Sequence, residues 1–301
     1  MQLSGRGVAL SVGASVLFAV LPGYVQWLAP LDGVQIFAQR VLWSIPLVLL
    51  LVVLAGQTAL LRETFLRLRR EPLLLVACPM AAALIGVQWG LFLWAPLAGH
   101  MLEVSMGYFL LPLAIVLTGR LFYGERLRPL QQLAVTCAVL GVLHELWRTQ
   151  AFSWLTLITA LGYPPYFILR RWMRLDALSG FVLEMLMLAP LAIWLIVAYG
   201  PAGAFAERPL LWLLVPVMAL IGTLAFAAYM ASSRMLPLGL FGILSYVEPV
   251  LLFAVSLLVL GESLDTGQWL TYLPIWVAVL LVGWDSARLL RKQQLENIRP
   301  R

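Results

Sequence analysis

Ser245-Tyr246-Val247-Glu248-Pro249, followed by an apolar run to Gly261-Glu262, decides how this chain is read. A carboxylate stands beside a proline, with about nine apolar-dominated residues before it and eleven after. At 1.5 Å per residue, Glu248 lies roughly 14 Å into the segment, near the middle of a hydrocarbon core ~30 Å thick. A charge at that depth costs about 2.5–3.5 kcal/mol, so the carboxylate is expected to face protein or a wet cavity. Pro249 removes one backbone donor and frees a carbonyl one turn back, which opens the helix locally. The pattern has a second copy 137 residues earlier. Pro112, Gly124, Glu125, Leu127, Gln131 and Leu133 align without a gap on Pro249, Gly261, Glu262, Leu264, Gln268 and Leu270. Six identities at one offset argue for a duplication.

Composition sets the class. The 301 residues are 62% hydrophobic and 11% charged, whereas soluble domains carry about 25% charged residues. Such a chain cannot cover a water-facing surface, so it reads as a multi-spanning membrane protein. The formal net charge of +6 is sorted by loop and gives no nucleic-acid footprint. Cys78 and Cys137 fall inside apolar segments and read as small buried side chains. Two cysteines make neither a metal site nor a disulfide framework, and no metal or cofactor is expected. A G-xxxx-G-K-[ST] run is absent, so the chain is not expected to hydrolyse ATP.

Ten apolar segments are expected, at about 7–28, 33–54, 73–95, 101–122, 129–147, 152–170, 178–199, 210–231, 239–260 and 267–287, each near the length needed to span. The first follows Arg6 and reads as an uncleaved span rather than a signal peptide. The basic connection at about 55–72 is expected to be helical along the membrane surface. With a cytoplasmic N-terminus, 17 Lys and Arg fall on the inner side, and Arg148 and Arg208 on the outer, with Arg40 inside a span. This asymmetry places both termini in the cytoplasm of a plasma (inner) membrane protein.

Five spans per half is an odd number, so the second half must enter from the opposite side. The expected fold class is therefore an all-α polytopic membrane protein of ten transmembrane helices, arranged as two inverted five-helix repeats. The expected domains are 1–148, 149–287 and a basic cytoplasmic tail at 288–301. Looser matches pair Pro22 with Pro164 and Pro46 with Pro190; at the second offset, 144, Arg40 falls opposite Glu184. Inverted repeats with proline-interrupted spans are the signature of secondary transporters that bind near the midplane.

Arg40 lies roughly 12 Å into its span, beside Gln39, Trp43 and Ser44. Arginine stays charged there and must meet a carboxylate, freed carbonyls or an anionic substrate. Glu184 and Glu248 are the deep carboxylates on offer. A structural ion pair and a substrate anchor are both open readings. Glu248 is a candidate proton-coupling group and equally a fixed partner for Arg40. Glu184 reads as a pore-lip residue or helix bridge. Glu103, His100, His144 and Glu145 sit near outer ends, where interfacial polar residues are cheap, although Glu103 heads the span carrying Pro112. Gln88 lies within Gly86-Val87-Gln88-Trp89-Gly90, a G-xxx-G spacing that suits helix packing. Tyr163-Pro164-Pro165-Tyr166 is expected to unwind or kink its span. Trp43, Trp89 and Trp94 are candidates for an aromatic cavity wall, together with Tyr108 and Tyr246. Pro112 and Pro249 are candidate gating points.

Several stretches resemble one branch of the EamA transporters, within the drug/metabolite transporter superfamily. Gly7-Val8-Ala9-Leu10 leading to Pro22-Gly23-Tyr24 resembles its start, and Arg40-Val41-Leu42-Trp43-Ser44 its HRxxWS motif. Phe92-Leu93-Trp94-Ala95, then His100-Met101-Leu102-Glu103 with Ser105-Met106-Gly107-Tyr108-Phe109, resembles FxWAxxxxHxLExSxGYFxxPL. Gly124-Glu125-Arg126 matches its GER turn. Gln39 stands where the branch often has His, Phe18-Ala19 replaces a WG pair, and Gln88 and Leu111 replace Asn. The resemblance implies a ten-span inner-membrane permease, with spans one to four and six to nine around the cavity and spans five and ten outside it.

The function expected is secondary active transport of small amphipathic metabolites or drug-like molecules, such as chloramphenicol, by alternating access, without enzymatic activity. The partners expected are a small-molecule substrate and membrane lipid, with the protein a monomer or homodimer. Two rivals stand beside it: an intramembrane enzyme on lipid-linked substrates, and a non-transporting scaffold or sensor.

Overall fold

The computed structural model describes residues 4–95, 98–150, 152–201, 203–251 and 267–298, and these are helical with no strand among them. The helices are α1 (Gly5–Val25), α2 (Gly33–Leu54), α3 (Thr58–Arg70), α4 (Leu74–Trp94), α5 (Met101–Tyr123) and α6 (Pro129–Thr149). They continue as α7 (Trp154–Met173), α8 (Ala177–Tyr199), α9 (Ala204–Glu207), α10 (Leu211–Met235), α11 (Leu238–Leu244) and α12 (Gln268–Ile298). Eight are long and apolar enough to cross a membrane, which makes this a multi-pass membrane protein. Two of the ten expected spans are not among the eight. The helix α7 is 20 residues long, but Tyr163-Pro164-Pro165-Tyr166, Arg170 and Arg171 dilute its apolar character. The 239–260 segment is described only to Leu251, within a shorter apolar helix, Leu238–Leu251. The Gly261-Glu262 turn lies outside the described residues. Residues 288–298, expected as tail, continue α12.

Local chemistry sets the helix ends. Asp32 caps α2 by accepting from the Gln35 N–H at 2.8 Å, and Asp176 caps α8 by accepting from the Ser179 N–H at 2.9 Å. Such caps are worth about 1 kcal/mol each. Both members of this device are 144 residues apart, the offset that relates Pro46 to Pro190. At the end of α5, Gly124 adopts φ +62°, which a residue without Cβ does cheaply, and the Glu125 N–H turns back to the Gly119 carbonyl. The double proline does not unwind α7, which stays helical through Pro164 and Pro165.

The chain forms two compact units. The first comprises Met1–Ala19, Ser105–Leu161 and Ala228–Arg301. In it α6 packs on α12, and the two run antiparallel. Arg128 and Gln131 at the start of α6 donate to Asp285 late in α12 at 3.3 and 3.1 Å, while His144 at its end meets Thr271 near the start of α12 at 2.9 Å. Glu145, expected to be interfacial, is buried and accepts from Thr271 and Arg148. α11 and the turn after it pack on α5: the hydroxyl of Tyr246, in that turn, donates to the Phe109 carbonyl at 2.9 Å, and a Cβ on Gly242 would lie 2.8 Å from the Pro112 carbonyl oxygen.

The second unit comprises Val20–Val104 and Gly162–Ala227. There α2 packs on α8, again antiparallel, since Gln35 near the start of α2 donates to the Leu195 carbonyl near the end of α8 at 2.9 Å. Trp89 of α4 meets Phe226 of α10 with ring centroids 5.0 Å apart. Helices in lipid gain nothing from burying apolar faces against each other, so close packing and hydrogen bonds of this kind hold them together. The contacting pairs Phe109/Tyr246 and Trp89/Phe226 are each 137 residues apart, as are Pro79 and Pro216.

Candidate functional site

The second unit holds a continuous line of buried charged and aromatic side chains. Arg40, 2% exposed, projects from α2 about a third of the way along the helix, and its guanidinium carbon lies 3.9 Å from the Trp89 ring centroid. A desolvated cation over an indole face gains about 2 kcal/mol. Gly222 of α10 provides the room, because a Cβ there would lie 2.9 Å from Arg40 Nε. Trp89 meets Phe181 and Phe226 edge to face, and Tyr166 lies against Phe226 at 6.4 Å. The Tyr166 hydroxyl donates to Glu184 Oε2 at 3.0 Å, and Arg170 Nε lies 3.4 Å from Glu184 Oε1. Arg170 also donates to the carbonyls of Asp176 and Ala177, at 3.3 and 3.1 Å.

The ion partner of Glu184 is thus Arg170, a residue the sequence reading counted among the inner-side loop cations. Arg170 is buried because it sits one helical turn beyond Tyr166 on α7, facing Gly180 of α8. Glu184 is accordingly a bridge between α7 and α8, with a neutral donor on one oxygen and a cation on the other. Of the two readings open for Glu184, pore-lip residue and helix bridge, this geometry matches the bridge. Phe181, Phe226, Gly222 and Arg170 were not singled out from the sequence. The available signal was Arg170 itself, one turn after a Tyr-Pro-Pro-Tyr stretch and one helix away from an intramembrane Glu.

Of the remaining candidates in this unit, Gln88 and Tyr163 are buried, and Gln39 and Trp43 partly so. Gln88 lies on the bare backbone of Gly162, where a Cβ would sit 1.9 Å from its Nε2. This contact seats α4 against α7 at the start of the double-proline stretch. Trp94 is 38% exposed and, with Gly33, Phe37, Val87, Gly90 and Leu195, lines an apolar groove of about 310 Å³. Its indole stacks on the His100 ring, and His100 Nδ1 lies 3.2 Å from Glu103 Oε1.

The first unit holds Tyr108, Pro112, Tyr246, Glu248 and Pro249. The helix of the opening stretch is interrupted by a turn at Ser245-Tyr246 and resumes at Val247. The Ser245 carbonyl, which would have served the missing N–H of Pro249, accepts instead from the Glu248 N–H at 3.3 Å. Tyr246 is fully buried, Pro112 is buried, and Tyr108, Glu248 and Pro249 are half-buried. No group of three or more His, Cys, Asp or Glu that could hold a metal occurs among the described residues.

Comparison with known proteins places this geometry. The chain is 63% identical over 299 residues to the chloramphenicol-sensitive protein RarD of Pseudomonas aeruginosa, covering 99% of this chain and all of that protein. It is 34% identical to an uncharacterized transporter of Haemophilus influenzae, over 98% of each chain. With the protein RarD of Escherichia coli the identity is 30%, over 93% of this chain and 95% of that one. No family model matches. A crystal structure at 20% identity superposes with a TM-score of 0.67 over 94% of this chain and 98% of that one, and so shares the fold.

Proposed function

The chain belongs to the RarD family, whose members include transporters, and on that basis we propose that it is a secondary transporter of small amphipathic molecules, working by alternating access in the bacterial inner membrane. The observation that carries the reading is Arg40: a permanent cation, 2% exposed, about a third of the way along a membrane span and stacked on Trp89. A transporter gains from such a group, because it supplies a fixed positive charge and planar donors beside an aromatic wall. The proposed substrate has an apolar or aryl body against Trp89, Phe181 and Phe226 and an anionic or strongly accepting group toward Arg40. The name of the Pseudomonas relative makes phenicols the first compounds to test.

Antiparallel packing of α2 on α8 and of α6 on α12 supports the inverted repeat, since offset-related helices must then run in opposite directions. Contacts between equivalent positions, Phe109 with Tyr246 and Trp89 with Phe226, are those expected near a pseudo-two-fold axis. Both termini are proposed to be cytoplasmic. Glu248, beside the helix interruption, is the proposed proton-coupling group, and Pro112 and Pro249 the points that give way. Transporter relatives are the reason the lipid-linked enzyme reading is not carried forward.

The experiment is uptake into proteoliposomes under an imposed pH gradient. Arg40→Met, shown to be folded by its thermal transition, is expected to lose at least tenfold in flux; undiminished flux would overturn the anchor. Glu248→Gln is expected to keep substrate exchange and lose gradient-driven accumulation. Unchanged accumulation removes its coupling role.

A further inference from the structure

Gly86 and Gly90 look alike in the sequence and differ in the structure. A Cβ on Gly86 would meet Leu188 Cδ2 at 2.8 Å, so this glycine seats α4 against α8. A Cβ on Gly90 would meet nothing within 4 Å. Gly90 instead forms part of the groove of about 310 Å³ between α2, α4 and α8. Val87 is 50% exposed and Trp94 38% exposed on this side, so the groove opens laterally, toward lipid.

We propose that this groove binds the apolar tail of an amphipathic organic cation, whose charged head is held at Glu103. The lining offers a tail no side-chain donor or acceptor except the Trp94 indole N–H. Trp94 lines the groove, its ring stacks on His100 with centroids 5.7 Å apart, and His100 in turn contacts the carboxylate of Glu103. A tail lying along Gly33, Phe37 and Gly90 therefore brings a head group within reach of an aromatic face and a part-exposed carboxylate. Both favour positive charge. Neither Lys nor Arg lines the groove, and His100 is already engaged with Glu103, so a fatty acid or a phospholipid phosphate would meet a carboxylate, whereas a cationic head group is attracted to it. Because α5 begins at Met101, its positive end offsets part of the charge on Glu103, and the head group is expected to add about tenfold in affinity rather than more.

This site does not rest on the transport reading, and it is tested by binding alone. Dodecyltrimethylammonium is titrated calorimetrically onto the full chain in zwitterionic lipid nanodiscs, with empty nanodiscs as the baseline. One saturable site is expected. Glu103→Gln is expected to weaken it about tenfold, and Gly90→Leu, which fills the groove, to abolish it. Gly90→Ala, which adds one methyl into open space, is expected to give an intermediate loss, and serves if the leucine variant does not fold. Arg40→Met is expected to leave binding unchanged. Dodecyl phosphate binding as tightly as the cation would overturn the head-group assignment. Binding of the ammonium that survives in the folded Gly90→Leu protein would overturn the groove itself.

Discussion

Gly180→Ala is the most demanding test of the buried Arg170–Glu184 bridge. In an ordinary helix interior, glycine to alanine stabilises by about 0.5–1 kcal/mol. Here the new methyl would lie 1.3 Å from Arg170 Nη1 and 2.3 Å from Cζ. The guanidinium must leave, giving up Glu184 at 3.4 Å and the carbonyls of Asp176 and Ala177 at 3.3 and 3.1 Å. Arg170 and Glu184 are 6% and 1% exposed, so solvent does little to screen the loss. Breaking a buried pair costs about 3–5 kcal/mol, which leaves a net destabilisation of about 2–4 kcal/mol. In an Arg170→Ala/Glu184→Gln background the obstruction is gone, and the side-chain amide that replaces the carboxylate still accepts from Tyr166. There the same substitution should stabilise by about 0.5–1 kcal/mol. The assay is equilibrium unfolding in mixed micelles of all four proteins in the cycle. A reversal of sign between backgrounds is expected; destabilisation of equal size in both would refute the reasoning.

Glu125→Ala removes the acceptor of the Leu238 and Gly239 N–H groups, at 2.8 and 2.7 Å, and should cost about 1–2 kcal/mol in the same unfolding assay. Tyr246→Phe deletes the hydroxyl on the Phe109 carbonyl and should cost about 1 kcal/mol, with hydrogen exchange rising first in α11. At the end of α3, the Arg67 side chain hydrogen-bonds Glu71 and holds its carboxyl below the ordinary value. A depressed folded value means the pair contributes fully above the unfolded Glu pKa of about 4.3 and fades as pH falls through the folded value. Arg67 also reaches the carbonyls of Met173 and Arg174, so the protection of amides at the end of α7, taken relative to their intrinsic exchange rates, should fall slightly from pH 5 to pH 3. Glu71→Gln should remove that dependence, and salt should weaken it.

Much of this architecture was legible because lipid allows few alternatives. A long apolar run must close its own hydrogen bonds as a helix, so segment positions followed closely from composition. The caps Asp32 and Asp176, and the prolines paired at fixed offsets, are local features readable in one dimension. Of the two outcomes expected for the double proline, unwinding does not occur, because a helix within a bundle can tolerate two missing donors when its neighbours fix its path. Glu145 was read as interfacial because sequence position says nothing about Thr271, 126 residues away, which meets it.

By itself the sequence determined that this is a helical membrane protein, that its halves echo each other, and that Arg40 and Glu184 are charges too deep to be incidental. Only the tertiary structure decided their partners: Arg40 lies on Trp89, and Glu184 is shared by Tyr166 and Arg170. The reason is physical. Depth in a hydrocarbon slab depends on the count of residues along one helix, whereas the identity of a partner depends on which helix faces turn toward each other. That choice here rests on bare backbone at Gly180 and Gly222, whose room for a guanidinium appears only once the helices are packed.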